Sequence, residues 1–130
     1  MKTHLALDFS QPDLLGLLQA MDEIELDTLE FGVMGIDADT IVRDYNAVEA
    51  KLAGLSKDRV IGYPLFTVVA PCMNNFIVAQ RFEDAAAAGQ SLDLTLDYVL
   101  TLRMRPLKVQ LRLLAGPTAQ RRFVLIKRKS

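Results

Sequence analysis

The 130-residue chain has one cysteine, one histidine and no tryptophan. One cysteine, Cys72, cannot form an internal disulfide, so a reducing compartment is expected. The one histidine, His4, lies in the N-terminal tail. A histidine-based triad or a multi-histidine metal site is thereby nearly excluded. No apolar run approaches the roughly twenty residues of a membrane span. The opening "MKTHLALDFSQPD" lacks a long apolar stretch followed by a small-residue cleavage site, so no secretory signal is expected. There is no internal repeat and no low-complexity segment. The formal charge of -1 gives no general reason to bind nucleic acid or an anionic membrane. These absences together predict a cytoplasmic protein with no membrane and no nucleic-acid partner. The basic residues do crowd the end, in "RRFVLIKRKS"; residues of both signs alternate with apolar ones elsewhere, so this run reads as an exposed strand edge.

What is present suffices for one folded domain. Hydrophobic residues make up 51% of the chain, and at this length burial on folding needs no metal or disulfide staple. "QPDLLGLLQAMDEI" spaces Leu14, Leu15, Leu17, Leu18 and Met21 as a helical stripe. Ser10 would cap that helix, with Pro12 in its first turn. "LEFGVMGID" and "TIVRDYN" predict a hairpin across "DADT". "NAVEAKLAGL" predicts a short helix capped by Asn46, and "SKDRVIGYPLF" one helical turn and a connector. "NNFIVAQRFEDAAAAG" predicts a helix started by an Asn, with Phe76, Ala79 and Phe82 on one face and Gly89 as its left-handed stop. In "LDLTLDYVLTLR" the apolar residues fall at even positions, a strand with one wet and one core face. "LKVQLRLLAG" repeats the pattern and "RRFVLIKRK" closes the chain. The order predicts an α+β domain, a five-stranded antiparallel sheet with helices on one face.

Two places carry chemistry. Tyr45 and Glu49 are four apart, so a helix beginning near Asn46 lets their side chains approach one site. A hydroxyl and a protonated carboxyl can both donate to one buried anion, and burial favours the protonated carboxyl. Asn46-x-x-Glu49 is equally the spacing of a capping box. Cys72 precedes an expected helix N-terminus, where thiolate is favoured, and thiolate attacks activated acyl groups. The plain alternative is a small buried thiol used for packing. Tyr98 falls on the core face of its strand, where packing accounts for it, and Met104 near a strand end reads as filler.

The run "IDADTIVRDYNAVEAKLAGLSKDRVIGYPLFTVVAP" resembles the core signature of PAS domains, with Thr40 where that family often has Gly. "YNAVE", "VIG", "VAPC", "MRPLKV" and the terminal "FVLIKR" extend the resemblance to the photoactive yellow protein family over nearly the whole chain. That resemblance implies an N-terminal helical cap over residues 1–28 and a PAS core over 29–130. It implies a p-coumaroyl (4-hydroxycinnamoyl) chromophore held as a thioester on Cys72. The phenolate oxygen would be held by Tyr45 and a protonated Glu49. Val69, Ala70 and Pro71 would shape the backbone against the ring, and Met104 would be the lid. The family's arginine falls on Leu55 and a supporting threonine on Ala53, so two polar groups are replaced by apolar ones.

The resemblance therefore implies a blue-light photoreceptor and no enzyme. Trans-to-cis isomerisation, with proton transfer from Glu49, would loosen the N-terminal cap and signal to a protein partner not identified by the sequence. The alternative is a PAS sensory or interaction module that binds another small ligand or none. An enzyme with Cys72 as nucleophile lacks an evident base.

Overall fold

The structure, a computed structural model, describes residues 7–101, 106–117 and 121–128. The alternating segments form β1 (Gly32–Ile36), β2 (Val42–Tyr45), β3 (Leu92–Leu100), β4 (Leu107–Ala115) and β5 (Arg122–Arg128). They make one antiparallel sheet in the order β2-β1-β5-β4-β3. The last strand thus lies in the middle, between β1 and β4, and residues 123–126 are buried. This corrects the reading of "RRFVLIKRKS" as an exposed edge; the edges are β2 and β3.

Helices cover both faces of the sheet, where one had been expected. On the inner face, Met34, Leu111, Val124 and Ile126 pack with Leu65, Phe66, Val69 and Phe82. On the outer face, Val33, Leu114, Phe123 and Leu125 are covered by Phe9, Leu14, Leu18, Leu26 and Phe31 of the N-terminal segment. Each fully buried leucine there contributes about 1.5–3 kcal/mol. β3 keeps its wet face, with Asp93, Thr95 and Asp97 exposed. The C-terminal half of β4 is buried on both faces.

Two arginines also hold the N-terminal segment. Arg112 of β4 grips Asp93 with two 2.8 Å bonds and donates to the carbonyls of Phe9 and Gln11. Arg121 pairs with Asp44 at 2.9 Å and donates to the carbonyls of Leu18 and Gln19. The segment itself holds two short helices, α1 (Leu14–Gln19) and α2 (Glu23–Leu26), where one helix was expected. Asp22 and Glu25 form a reciprocal capping box that starts the second. Asp13, with φ 58, precedes α1 without a side-chain cap bond, so Ser10 is not the cap.

Between the hairpin and β3 come α3 (Ala47–Ala53), a 3-10 turn (Lys57–Arg59), a π-type turn (Leu65–Val69), a second 3-10 turn (Pro71–Met73) and α4 (Ala79–Ala88). Asn46 caps α3 and Gly89 ends α4 at φ 63, both as expected. α4 starts later than expected because Asn75 accepts the N–H groups of Ile77 and Val78 in a turn ahead of it. Phe76 is therefore 82% exposed and shares no face with Phe82.

Candidate functional site

Asn46 organises the start of α3. Its side-chain oxygen accepts from the N–H groups of Val33 and Glu49 at 2.9 and 3.1 Å. Its amide nitrogen donates to the carbonyls of Leu26 and Phe31. One buried side chain so ties α3 to β1 and to the end of α2. Sequence spacing marked Asn46 as a cap; nothing local to it signalled the three long-range bonds.

The reciprocal half of the capping box is absent, because the Asn46 N–H donates to Val33. Glu49 instead turns toward β5. Its Oε1 lies 2.7 Å from Arg128 Nη1 and its Oε2 3.1 Å from Nη2, a two-pronged ion pair. Glu49 is 1% exposed. The pair sits over Gly32 of β1, where an added Cβ would meet Glu49 Oε1 at 2.1 Å. Gly32 is thus required by close approach. Burial pushes the Glu49 carboxyl above its usual range, and Arg128 offsets part of that rise.

Tyr45, the last residue of β2, is buried. Its hydroxyl makes one long contact, 3.5 Å, to the Glu49 backbone carbonyl. Burial, reinforced by the negative Glu49 and opposed by Arg128, pushes its phenol up to about 12. Tyr45 therefore keeps its proton and is a donor held in an apolar setting.

Cys72 is partly buried against the inner core, the same cluster that contains Tyr45, Val69 and Ala70 and is packed by Leu55. Pro71 is exposed at the first position of the 3-10 turn. Ala53 is the last residue of α3 and half-buried. Met104 lies outside the described residues. Cys72 sits within that 3-10 turn, and α4 begins only at Ala79, so the expected helix N-terminus does not adjoin the thiol. Its carbonyl is fixed instead by the Tyr98 hydroxyl and by Asn75 Nδ2, which also donates to Tyr98. Tyr98 thus has a polar role as well as packing.

The p-coumaroyl group that the resemblance implies needs a thiol for its acyl carbon and a donor for its phenolic oxygen. A partly buried thiol with a fixed backbone and a buried hydroxyl with one long contact both fit it. The Glu49 carboxylate, with both oxygens on Arg128, fits only as the form that has lost its proton.

A five-stranded antiparallel sheet whose inner face packs against the α3–α4 crossover is the architecture of the PAS class, and the PAS fold family matches residues 20–113. A photoactive yellow protein from Rhodothalassium salexigens is 30% identical over 122 residues, covering 94% of this chain and 97% of that one. Another from Halochromatium salexigens is 31% identical over 120 residues, covering 92% and 95%. The crystal structure of the photoactive yellow protein domain from a sensor histidine kinase of Rhodospirillum centenum superposes with a TM-score of 0.79 at 32% identity, covering 88% of this chain and 99% of that one. The chain belongs to the photoactive yellow protein family of PAS-fold photoreceptors.

Proposed function

We propose that this protein is a blue-light photoreceptor that carries p-coumaric acid as a thioester on Cys72. The observation that carries the reading is the shared inner cluster, which brings the one thiol and the buried Tyr45 hydroxyl into the same apolar environment. Bound, the chromophore supplies visible absorption and isomerisation of its double bond from trans to cis. Tyr45 donates its hydroxyl proton in a hydrogen bond to the phenolic oxygen. Leu55 excludes water there without adding charge, Ala53 adds no hydroxyl, and Val69, Ala70 and Pro71 shape the wall around the ring. Met104 is the lid residue. Glu49 holds a proton at its carboxyl and releases it to the ligand oxygen after isomerisation.

That charge relocation loosens the cap, residues 1–28, from the core, residues 29–130. The contacts at stake are the carbonyl bonds from Arg112 and Arg121 and the bond from Asn46 to the Leu26 carbonyl. The protein acts in the cytoplasm, without catalysis of its own, on a protein partner. The Rhodospirillum centenum relative, a domain of a sensor histidine kinase, suggests a kinase as the partner class. No helix among the described residues is long and apolar enough to cross a membrane.

A second reading, a PAS module with another ligand or none, draws on the engagement of both Glu49 oxygens by Arg128. Incubation with an activated p-coumaroyl ester separates the two. Intact mass should rise by one coumaroyl unit in the wild type and stay unchanged in Cys72→Ser. An unlabelled wild type, or labelling that persists in Cys72→Ser, sinks the photoreceptor reading.

A further inference from the structure

The family's cation position is occupied here by Leu55, yet the site is not without a cation. Arg128 shares its sheet face with Val124 and Ile126, because side chains alternate along a strand, and those two belong to the inner core. Its guanidinium meets Glu49 through both terminal nitrogens, with the two side chains 12% and 2% exposed. Its remaining Nε–H is buried and has no acceptor among the described residues. The pair therefore leaves one nitrogen of the guanidinium, Nε, without a hydrogen bond. A groove of about 260 Å³ reaches Arg128 and Gly32 from the surface.

We propose that Arg128 is the cation of this site, pairing with the Glu49 carboxylate when Glu49 has no proton and balancing the ligand's oxyanion when Glu49 holds one. The ligand half rests on the photoreceptor reading above. The reason is charge balance. An uncompensated buried charge is strongly unfavourable. Glu49 and a phenolic ligand are two acids that share one proton, so the site carries one negative charge in either arrangement. Arg128 makes the sum neutral in both. The cation enters from β5, a central strand, rather than from the connector after α3.

The consequence differs from that of a site with no cation. Proton release from Glu49 does not leave a bare carboxylate, because Arg128 is placed to receive it. Arg128 from β5 faces the Glu49 carboxyl, and Tyr45 from β2 contacts the Glu49 backbone carbonyl. Asp8, Glu30 and Lys127 line the groove beyond them and bear on Arg128 from outside.

The test uses the ligand-free protein, labelled with ¹³C at glutamate carboxyl carbons. The Glu49 signal is assigned by its loss in Glu49→Gln, and its titration is compared among wild type, Arg128→Gln and Arg128→Lys. Arg128→Gln should raise the proton affinity of Glu49 more than tenfold, and Arg128→Lys should restore most of the wild-type midpoint. Because protonated Glu49 is neutral, Arg128→Gln has a folded state open to it, and Arg128→Lys tests the point if it does not fold. A Glu49 midpoint that is the same in wild type and Arg128→Gln, or unlike wild type in Arg128→Lys, overturns the proposal. In protein loaded with p-coumaroyl ester, Arg128→Gln should also raise the pH at which the visible anion band gives way to the protonated form. Failure of loading counts against the photoreceptor reading alone, since the carboxyl titration needs no ligand.

Discussion

Gly32→Ala is the sharpest structural perturbation of the site. The new Cβ would lie 2.1 Å from Glu49 Oε1, 3.1 Å from its Cδ and 3.3 Å from its Cβ. Comfortable contact lies at roughly 3.5 Å, so the carboxylate must retreat by more than about 1 Å. A free surface glutamate would swing away at little cost. Glu49 is buried, with both oxygens bonded to Arg128, so retreat breaks the pair. Breaking a buried ion pair costs about 3–5 kcal/mol. Replacing glycine in a strand returns about 0.5–1 kcal/mol through backbone entropy. The net expectation is a loss of about 2–4 kcal/mol, a large part of a stability of about 5–15 kcal/mol. Urea denaturation measures it, repeated in a Glu49→Ala background. There the carboxylate is gone, and Gly32→Ala should cost less than about 1 kcal/mol. An equal cost in both backgrounds, or less than about 0.5 kcal/mol in the wild type, would refute the close approach.

Three further outcomes are expected. Thr40 holds φ 62, unfavourable for a β-branched residue, while its N–H and carbonyl are bonded to Asp37 and Leu65; Thr40→Gly should stabilise by about 0.5–1 kcal/mol in the same denaturation assay. Arg121→Met removes donors to the Leu18 and Gln19 carbonyls and leaves Asp44 unpaired, so hydrogen exchange should quicken across residues 14–26 while β4 keeps its protection. Tyr45, whose phenol is raised from 10.0 to about 12, favours the neutral form in the fold; its contribution is full below pH 10 and is lost as pH rises toward 12. Ultraviolet difference titration of wild type against Tyr45→Phe should show that late ionisation.

The strands were legible because period-two alternation is local, and Asn46 and Gly89 were legible because caps are local too. The place of β5 was not. Charges flanking "FVLI" suit an edge, and only pairing with both β1 and β4 makes it central. A signal was present nonetheless: "FVLI" and "LLAG" are unbroken apolar runs, which mark strands covered on both faces. They match the outer-face burial of Leu114, Phe123 and Leu125 under the N-terminal helices. Tyr45, Glu49 and Cys72 could be singled out from sequence, but the Arg128 partner of Glu49 lies 79 residues away and no spacing rule reaches it. Phe76 was misplaced for a local reason, since Asn75 fits either a helix cap or the turn it makes here.

The central claim is light sensing through a ligand on Cys72. Its most direct measurement is the visible spectrum of the protein after reaction with an activated p-coumaroyl ester, recorded in darkness, under blue light and in darkness again. A visible band that blue light bleaches and darkness restores, absent in Cys72→Ser, is the predicted result. A loaded protein whose band does not respond to light, or a wild type that acquires no band, would contradict the account.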